Sequence, residues 1–171
     1  MNKIILIGFM GVGKTTIGSE LAKKLSYAFV DTDEKIMEIA GTDIPDIFNR
    51  HGEEYFRRLE YKAIMDIMNL HKLVVSTGGG AVMNRELFNT MLSKGTVIHL
   101  DASSALLYDR LKDSSNRPML NHGNLKRRID ELYTQRRPIY MMAHHTVTTD
   151  GKSKEQIMND IIKLIGRDDN K

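Results

Sequence analysis

The chain has 171 residues, of which 41% are hydrophobic, so it can bury a core but is short for two ordinary domains. It contains no cysteine, which excludes both disulfides and thiolate metal sites. Its formal net charge of +3 suits anionic substrates but falls short of the concentrated basic surface of a nucleic-acid-binding protein. We therefore expect a single domain over residues 1–171.

The first part of the chain predicts a strand, a glycine-rich loop and a helix. Residues 4–7 form a short apolar run without alternation, which is typical of a strand buried on both faces of a parallel sheet. The run ends too soon for a signal peptide or a membrane span, so we expect a cytoplasmic protein. Apolar residues after Lys14 recur at helical spacing, and residues 28–30 predict a second strand that ends on Asp31 and Asp33.

The rest of the chain continues this alternation of strands and helices. Residues 34–70 predict helices that are interrupted at 41–45 and at 51–52. Residues 73–76, 96–100 and 146–149 predict three more strands, separated by helices that begin near Asn84, Ser103 and Leu125, and Ser153 opens a last helix. The pattern favours an α/β fold with a five-stranded parallel sheet between two layers of helices.

The strongest motif is the loop Gly8-Phe9-Met10-Gly11-Val12-Gly13-Lys14-Thr15, which lies between the first predicted strand and helix. Glycines let backbone amides approach phosphate oxygens, and the following helix presents its positive end. In such a loop the lysine neutralises the β and γ phosphates and the hydroxyl of Thr15 binds Mg²⁺. The motif predicts a P-loop kinase that uses ATP.

Two acidic residues follow the second predicted strand. In extended chain Asp31 and Asp33 point to the same side, so both could face the phosphate-transfer site. One would then organise Mg²⁺ and the other would orient the acceptor hydroxyl and accept its proton. The alternative is a helix N-cap beside a solvated carboxylate.

Two arginines and three glycines are candidates for an acceptor site. Arg57 and Arg58 lie about 100° apart on a helix, so one could bind a substrate carboxylate while the other pairs with Glu54 or Glu60 at the surface. The sequence does not decide between them. The glycines at 78–80 could leave room for a ligand, or they could form a flexible turn.

The polar segment from residue 113 to 124 contains Arg117, Pro118 and Gly123 and predicts a surface loop. A loop that closes over ATP and brings in an arginine would stabilise charge on the transferring group. Otherwise Arg117 is a solvated loop residue. The basic run that includes Arg136 is by itself more typical of a solvated helix face.

Together these motifs resemble the shikimate kinases, which are P-loop small-molecule kinases related to the nucleoside monophosphate kinases. The resemblance extends from residue 4 to the last helix and rests on motifs at residues 8–16, 31–33, 56–60, 76–80, 116–120 and 136–140. It implies that ATP with Mg²⁺ phosphorylates the 3-hydroxyl of shikimate, in the aromatic amino acid pathway. A cytoplasmic monomer that binds neither nucleic acid nor membrane is expected.

The resemblance also implies roles for individual residues. Asp33 would hold the shikimate hydroxyls and act as the base, with Arg57 and Arg136 clamping the carboxylate. The substrate would also contact the backbone of Gly78, Gly79 and Gly80. The helical segment of about 34–60 would bind substrate and move, and residues 112–124 would form the lid.

At the nucleotide, the resemblance implies that Thr15 binds Mg²⁺ directly and Asp31 acts on it through water. Arg110 would pack on adenine, and Lys152 stands where the family often has arginine, so a contact between Lys152 and ATP stays open. The remaining residues implied at the phosphates are Gly11, Val12, Gly13, Lys14, Thr16 and Arg117.

Three other functions share parts of this pattern. A gluconate kinase would also need a P-loop and a site for a carboxylate. A nucleoside monophosphate kinase would need a phosphate-binding arginine set that the sequence does not reveal. A P-loop switch would have no acceptor site, and the two arginines that clamp a carboxylate argue against it.

Overall fold

The structure is a computed structural model that describes residues 3–112 and 124–168. Its five strands form one parallel sheet in the order β2-β3-β1-β4-β5. The strands are β1 (Lys3–Ile7), β2 (Ala28–Asp31), β3 (Leu73–Ser76), β4 (Thr96–Asp101) and β5 (His145–Thr148).

The described residues also contain seven α-helices and one short 3₁₀ turn. The turn is Ala81–Met83, and the helices are α1 (Lys14–Leu25), α2 (Thr32–Ala40), α3 (Ile44–Ile67), α4 (Arg85–Lys94), α5 (Ser104–Leu111), α6 (Leu125–Tyr140) and α7 (Lys154–Asp168).

The predicted architecture is confirmed. All five residues of β1 are buried, as its unbroken apolar run predicts for a strand covered on both faces. Helices α1 and α7 pack against each other and against the sheet, while α4 packs on β4 and contacts α3. No helix in the described ranges is long and apolar enough to cross a membrane.

Two glycines account for the predicted breaks between residues 34 and 70. Gly41 ends α2 in the left-handed conformation, with φ 68°. Gly52 has φ 77° and ψ 177°, which interrupts the helical backbone inside α3 and kinks it. This region is therefore three helical segments, the last two joined as one kinked helix.

The strand order brings three loops together at one edge of the sheet. Because β3 lies between β2 and β1, the loops after these three strands are neighbours. Ser76 at the end of β3 pairs in register with Asp31 on one side and Leu6 on the other. Ligands bind at the carboxyl ends of strands in open α/β sheets, so this edge is where a site is expected.

A second, smaller apolar cluster lies apart from the main core. Its fully or nearly fully buried members are Ile36, Ile47, Phe56 and Ala63, which all belong to α2 and α3. These two helices therefore have a small core of their own beside the sheet.

Candidate active site

The loop after β1 forms one wall of a polar cleft of about 240 Å³. Gly8, Gly11 and Gly13 have φ values of 143°, 79° and 103°, which side chains rarely allow. A Cβ atom at Gly8 would lie 2.5 Å from the carbonyl oxygen of Leu100. The glycines of this loop are therefore needed for its shape, and Gly13 is the residue that precedes α1.

Lys14 is the first residue of α1 and is buried in the cleft wall. Its Nζ donates hydrogen bonds of 2.9 Å to the carbonyl oxygens of Gly8 and Phe9. The first turn of α1 carries no acidic residue to offset the positive end of the helix. A cation and a helix N-terminus thus face the same cleft, which is suited to binding phosphate.

Three oxygen-bearing side chains meet beside Lys14. Thr15 Oγ1 donates to Asp31 Oδ2 at 2.6 Å and lies 3.5 Å from Ser76 Oγ. Two hydroxyls and a carboxylate form an all-oxygen donor set of the kind that Mg²⁺ prefers. The sequence predicted Thr15 and Asp31 here, and the structure adds Ser76.

Asp31 and Asp33 both line the cleft, but the prediction that Asp33 lies in extended chain is wrong. Asp33 lies in the first turn of α2 and not in extended chain. Asp31 is the N-cap of this helix, and its Oδ1 accepts a hydrogen bond of 2.9 Å from the Asp33 amide. Asp31 therefore combines the capping role with a place in the cleft, while helical turning brings Asp33 toward Gly78.

The three glycines after β3 lie where charged side chains and the P-loop converge. A Cβ atom on Gly78 would be 2.8 Å from Asp33 Oδ1, and one on Gly80 would be 2.7 Å from a guanidinium nitrogen of Arg57. A Cβ atom on Gly79 would be 3.2 Å from the backbone nitrogen of Met10. Side chains at positions 78 and 80 would thus collide with Asp33 and Arg57. This favours the prediction of a ligand site at the glycines over that of a flexible turn.

Arg57 is held in this cluster by two carboxylates of its own helix. It donates to Glu60 Oε2 at 2.7 Å and to Glu53 Oε1 at 3.0 Å. Glu60 is only 2% exposed, and its Oε1 has no hydrogen-bond partner among the described residues. Burial raises the pKa of Glu60, an effect that Arg57 opposes.

The second arginine of the sequence pair faces solvent. Arg58 lies 3.6 Å from Glu54, and both side chains are largely exposed. Arg136, in contrast, is 5% exposed and lies on α6, whose last residue contacts Gly79, while the guanidinium of Arg57 lies beside Gly80. The structure thus brings Arg57 and Arg136 together and leaves Arg58 outside, and Arg136 does not lie on the solvated face that its basic run suggests.

Arg110 and Lys152 lie on the other side of the P-loop, around a depression of about 290 Å³. Arg110 donates to the carbonyl oxygen of Val12 at 2.8 Å. Lys152 pairs with Asp160 at 2.9 Å. Thr16 lines both this depression and the main cleft. Arg117 lies outside the described residues, so its role stays a prediction.

We call Asp33, Arg57, Arg136 and the glycines 78–80 the acceptor cluster. The structure adds two residues to it for which no role in such a cluster was predicted. Glu60 lies three residues after Arg57, a spacing that predicts their pairing but does not reveal that Glu60 is buried. Tyr140 lies four residues after Arg136 and donates a hydrogen bond to the carbonyl oxygen of Gly79. The helical spacing of four was the available signal for Tyr140.

Beneath this cluster His99 of β4 is fully buried, with its ring stacked on Tyr140 at a centroid distance of 5.1 Å. Neither ring nitrogen has a hydrogen-bond partner among the described residues. Burial lowers the pKa of His99 from 6.5 to about 4, although Asp101 opposes the change.

This histidine should make the protein less stable in mild acid. Between its folded and unfolded pKa values the unfolded chain binds a proton that the folded chain does not, so stability falls as pH drops through this window. We expect a loss of about 3 kcal/mol in the free energy of unfolding from His99 by about pH 4. Urea unfolding of the wild type and His99→Leu across this range measures the effect. Parallel pH profiles for the two proteins would contradict it.

Comparison with known proteins gives one consistent family. The family model described as shikimate kinase matches residues 10–166. A shikimate kinase of Sulfurihydrogenibium sp. is 44% identical over 167 residues, which cover 98% of this chain and 99% of the relative. The structure of shikimate kinase from Acinetobacter baumannii in complex with shikimate has a TM-score of 0.96 and 32% identity, covering 100% of this chain and 96% of the other. Shikimate kinase from Aquifex aeolicus has a TM-score of 0.85 and 38% identity, with 96% of each chain covered.

Proposed function

This chain belongs to the shikimate kinase family, and from that premise we propose how its cleft transfers the γ-phosphoryl group of ATP to the 3-hydroxyl of shikimate. The chain is an ATP-dependent enzyme that phosphorylates shikimate. The observation that carries the proposal is the meeting of Asp33 and Arg57 at the glycines 78–80, beside the P-loop.

At the acceptor end, the cluster has the charges that a polyhydroxylated carboxylate requires. The guanidinium groups of Arg57 and Arg136 bind the carboxylate, for which their planar donor geometry is suited. Asp33 accepts hydrogen bonds from the hydroxyls and takes the proton of the reacting one. The backbone of Gly78, Gly79 and Gly80 completes the contact, because these residues have no side chains that could cover it.

At the donor end, Lys14 and the N-terminus of α1 bind the phosphates, together with the backbone amides of Gly11, Val12 and Gly13. Thr15 would bind Mg²⁺ directly and Asp31 would act on it through water, since their oxygens form a suitable donor set with Ser76. Bound Mg²⁺ would neutralise charge on the phosphates. Arg110 and Thr16 contact the nucleotide from the other side of the loop.

The transfer itself requires positioning and charge stabilisation. A bond forms between the shikimate oxygen and the γ phosphorus, while the bond from that phosphorus to the bridging oxygen of ADP breaks. The hydroxyl proton goes to the carboxylate of Asp33. Lys14 stabilises the negative charge that develops on the leaving phosphate oxygen.

We also propose that the segment of about 34–60 moves when substrate binds. Its apolar side chains pack mainly in the small cluster around Ile36 and Ile47, which is separate from the main core. The left-handed Gly41 and the kink at Gly52 are positions where the backbone direction can change. We also propose that the enzyme is a cytoplasmic monomer with a single domain, as the sequence predicts.

The function is tested by ATP turnover with a panel of acceptors. Purified protein with Mg²⁺ and ATP should release ADP when shikimate is added, and NMR of the product should place the phosphate on the 3-hydroxyl. Gluconate and nucleoside monophosphates are the control acceptors. ADP release with gluconate but not with shikimate would overturn the substrate assignment.

The carboxylate clamp predicts a selective loss of shikimate affinity in two variants. Arg57→Lys and Arg136→Lys keep the charge but lose the paired donor geometry, so the KM for shikimate should rise about 10- to 100-fold while the KM for ATP changes little. Steady-state kinetics with each substrate varied separately measures this. Arg58→Lys is the matched control, because its side chain is exposed and pairs with Glu54. Equal rises in the KM values for both substrates would count against the clamp.

A further inference from the structure

Tyr140 is a buried side chain for which the proposed function gives no role. It is the last residue of α6, and its ring is fully buried against His99. A buried tyrosine hydroxyl usually requires hydrogen-bond partners, because leaving it unpaired is costly. The partners that it has are therefore informative.

The hydroxyl of Tyr140 connects two parts of the acceptor cluster. It donates a hydrogen bond to the carbonyl oxygen of Gly79, and Arg136 lies about one turn before Tyr140 on α6. One hydroxyl thus links the helix that carries an arginine of the cluster to the glycine loop after β3.

The glycine loop depends on such contacts for its conformation. Glycine has wide backbone freedom, and three in succession offer no side chains that could pack and fix them. The amide of Gly78 donates to Thr32 Oγ1 at 2.9 Å, and that of Thr77 donates to the Leu6 carbonyl oxygen at 3.1 Å. Tyr140 holds the peptide group between Gly79 and Gly80 through the Gly79 carbonyl oxygen.

We propose that Tyr140 is a positioning residue for the acceptor: its hydroxyl holds the backbone of Gly79 to α6, the helix that carries Arg136, and so sets the spacing of these two groups. The inference rests on the proposed function, in which both groups contact shikimate. A pocket that grips a rigid carbocycle at two points gains affinity when the two points are already correctly spaced.

The hydroxyl is suited to this role at neutral pH. Burial raises the pKa of Tyr140 to about 12, although Arg136 opposes the change. It therefore remains protonated and can donate to a carbonyl oxygen. The neighbouring His99 is held neutral by its own burial, so the ring beneath Tyr140 carries no charge.

The test is the variant Tyr140→Phe, which keeps the ring on His99 and removes only the hydroxyl. We expect the KM for shikimate to rise roughly tenfold, while kcat and the KM for ATP stay within about twofold of the wild type. All kinetics are measured at a temperature below the melting transition of every variant. An unchanged KM for shikimate would overturn the inference.

Tyr133→Phe is the matched control on the same helix. The hydroxyl of Tyr133 is hydrogen-bonded to Asp101 and to Arg137, not to the acceptor cluster. Its removal can lower the melting temperature but should leave the KM for shikimate unchanged. If both variants raise this KM equally, the effect of Tyr140 is a general structural one and the inference fails.

A double-mutant cycle with Arg136→Lys tests whether Tyr140 acts through Arg136. Because Tyr140 is proposed to position the helix that carries Arg136, the double variant should lose less shikimate affinity than the sum of the single losses. Additive losses would contradict the link. Failure of the proposed function is a distinct outcome, because the wild type itself would then not phosphorylate shikimate, whatever the result for Tyr140→Phe.

Discussion

Asp33→Asn is expected to lower kcat for shikimate phosphorylation by roughly 10³-fold while leaving the fold intact. Asparagine has nearly the same shape, but its amide cannot accept the proton that the attacking hydroxyl must release. Asp33 lines the cleft with Lys14 and Thr15, and Gly78 leaves space against its Oδ1. The substitution therefore removes the base without opening a cavity.

The control for this variant is Glu34→Gln, which removes a carboxylate from the next position of the same helix turn. Glu34 is exposed, so the kcat of Glu34→Gln should match that of the wild type. Shikimate-dependent ADP release and melting temperature are measured for both variants. Near-normal turnover in Asp33→Asn would remove this residue from the role of base.

Lys14→Met should have an effect of similar size through the donor. Methionine keeps much of the apolar stem but not the charge, so we expect kcat/KM for ATP to fall by about 10³-fold or more. The loop also loses the hydrogen bonds that Nζ makes to the carbonyl oxygens of Gly8 and Phe9. A weaker affinity for ATP should therefore accompany the loss of turnover.

Lys23→Met provides the comparison for the loss of a lysine from α1. Lys23 is exposed near the end of this helix, away from the cleft. The variant should keep wild-type kinetics, and the change in its melting temperature shows how much stability is lost when an exposed lysine of α1 is replaced. If Lys14→Met retained more than about a tenth of wild-type kcat/KM, phosphate stabilisation by Lys14 would be contradicted.

Much of the fold could be predicted because the local signals agree with the final structure. The apolar run in β1 has no polar alternation, and it lies at the centre of the sheet with both faces covered. Gly41 and Gly52 interrupt helical patterns, and both have backbone angles that favour glycine. Where propensity, periodicity and turn residues agree, sequence reasoning succeeds.

The P-loop could also be predicted, because its whole function lies in one continuous segment. The prediction of extended chain at Asp33 is wrong, because α2 begins at Thr32 and Asp33 is therefore helical. Asp31 caps α2 at this boundary, and the first helical turn then sets the direction of the Asp33 side chain. A boundary shift of one or two residues changes side-chain directions but not the edge of the sheet.

The burial of the acceptor cluster could not be predicted from local pattern. Arg57 and Glu60 look like an ordinary surface pair on a helix, and Arg136 lies in a run of basic residues. The burial of Glu60 and Arg136 follows from the packing of α3 and α6 near the glycine loop, which is a property of the tertiary fold. The link from Tyr140 to Gly79 joins residues 61 positions apart.

The central claim is that this cleft recognises shikimate through its carboxylate and phosphorylates it. The most direct test compares kcat/KM for shikimate and for its methyl ester in the same ADP-release assay. The ester keeps every hydroxyl but lacks the charge that Arg57 and Arg136 bind. We predict that kcat/KM is about 10²-fold lower for the ester. Equal values for the two acceptors would contradict the clamp and the acceptor site built around it.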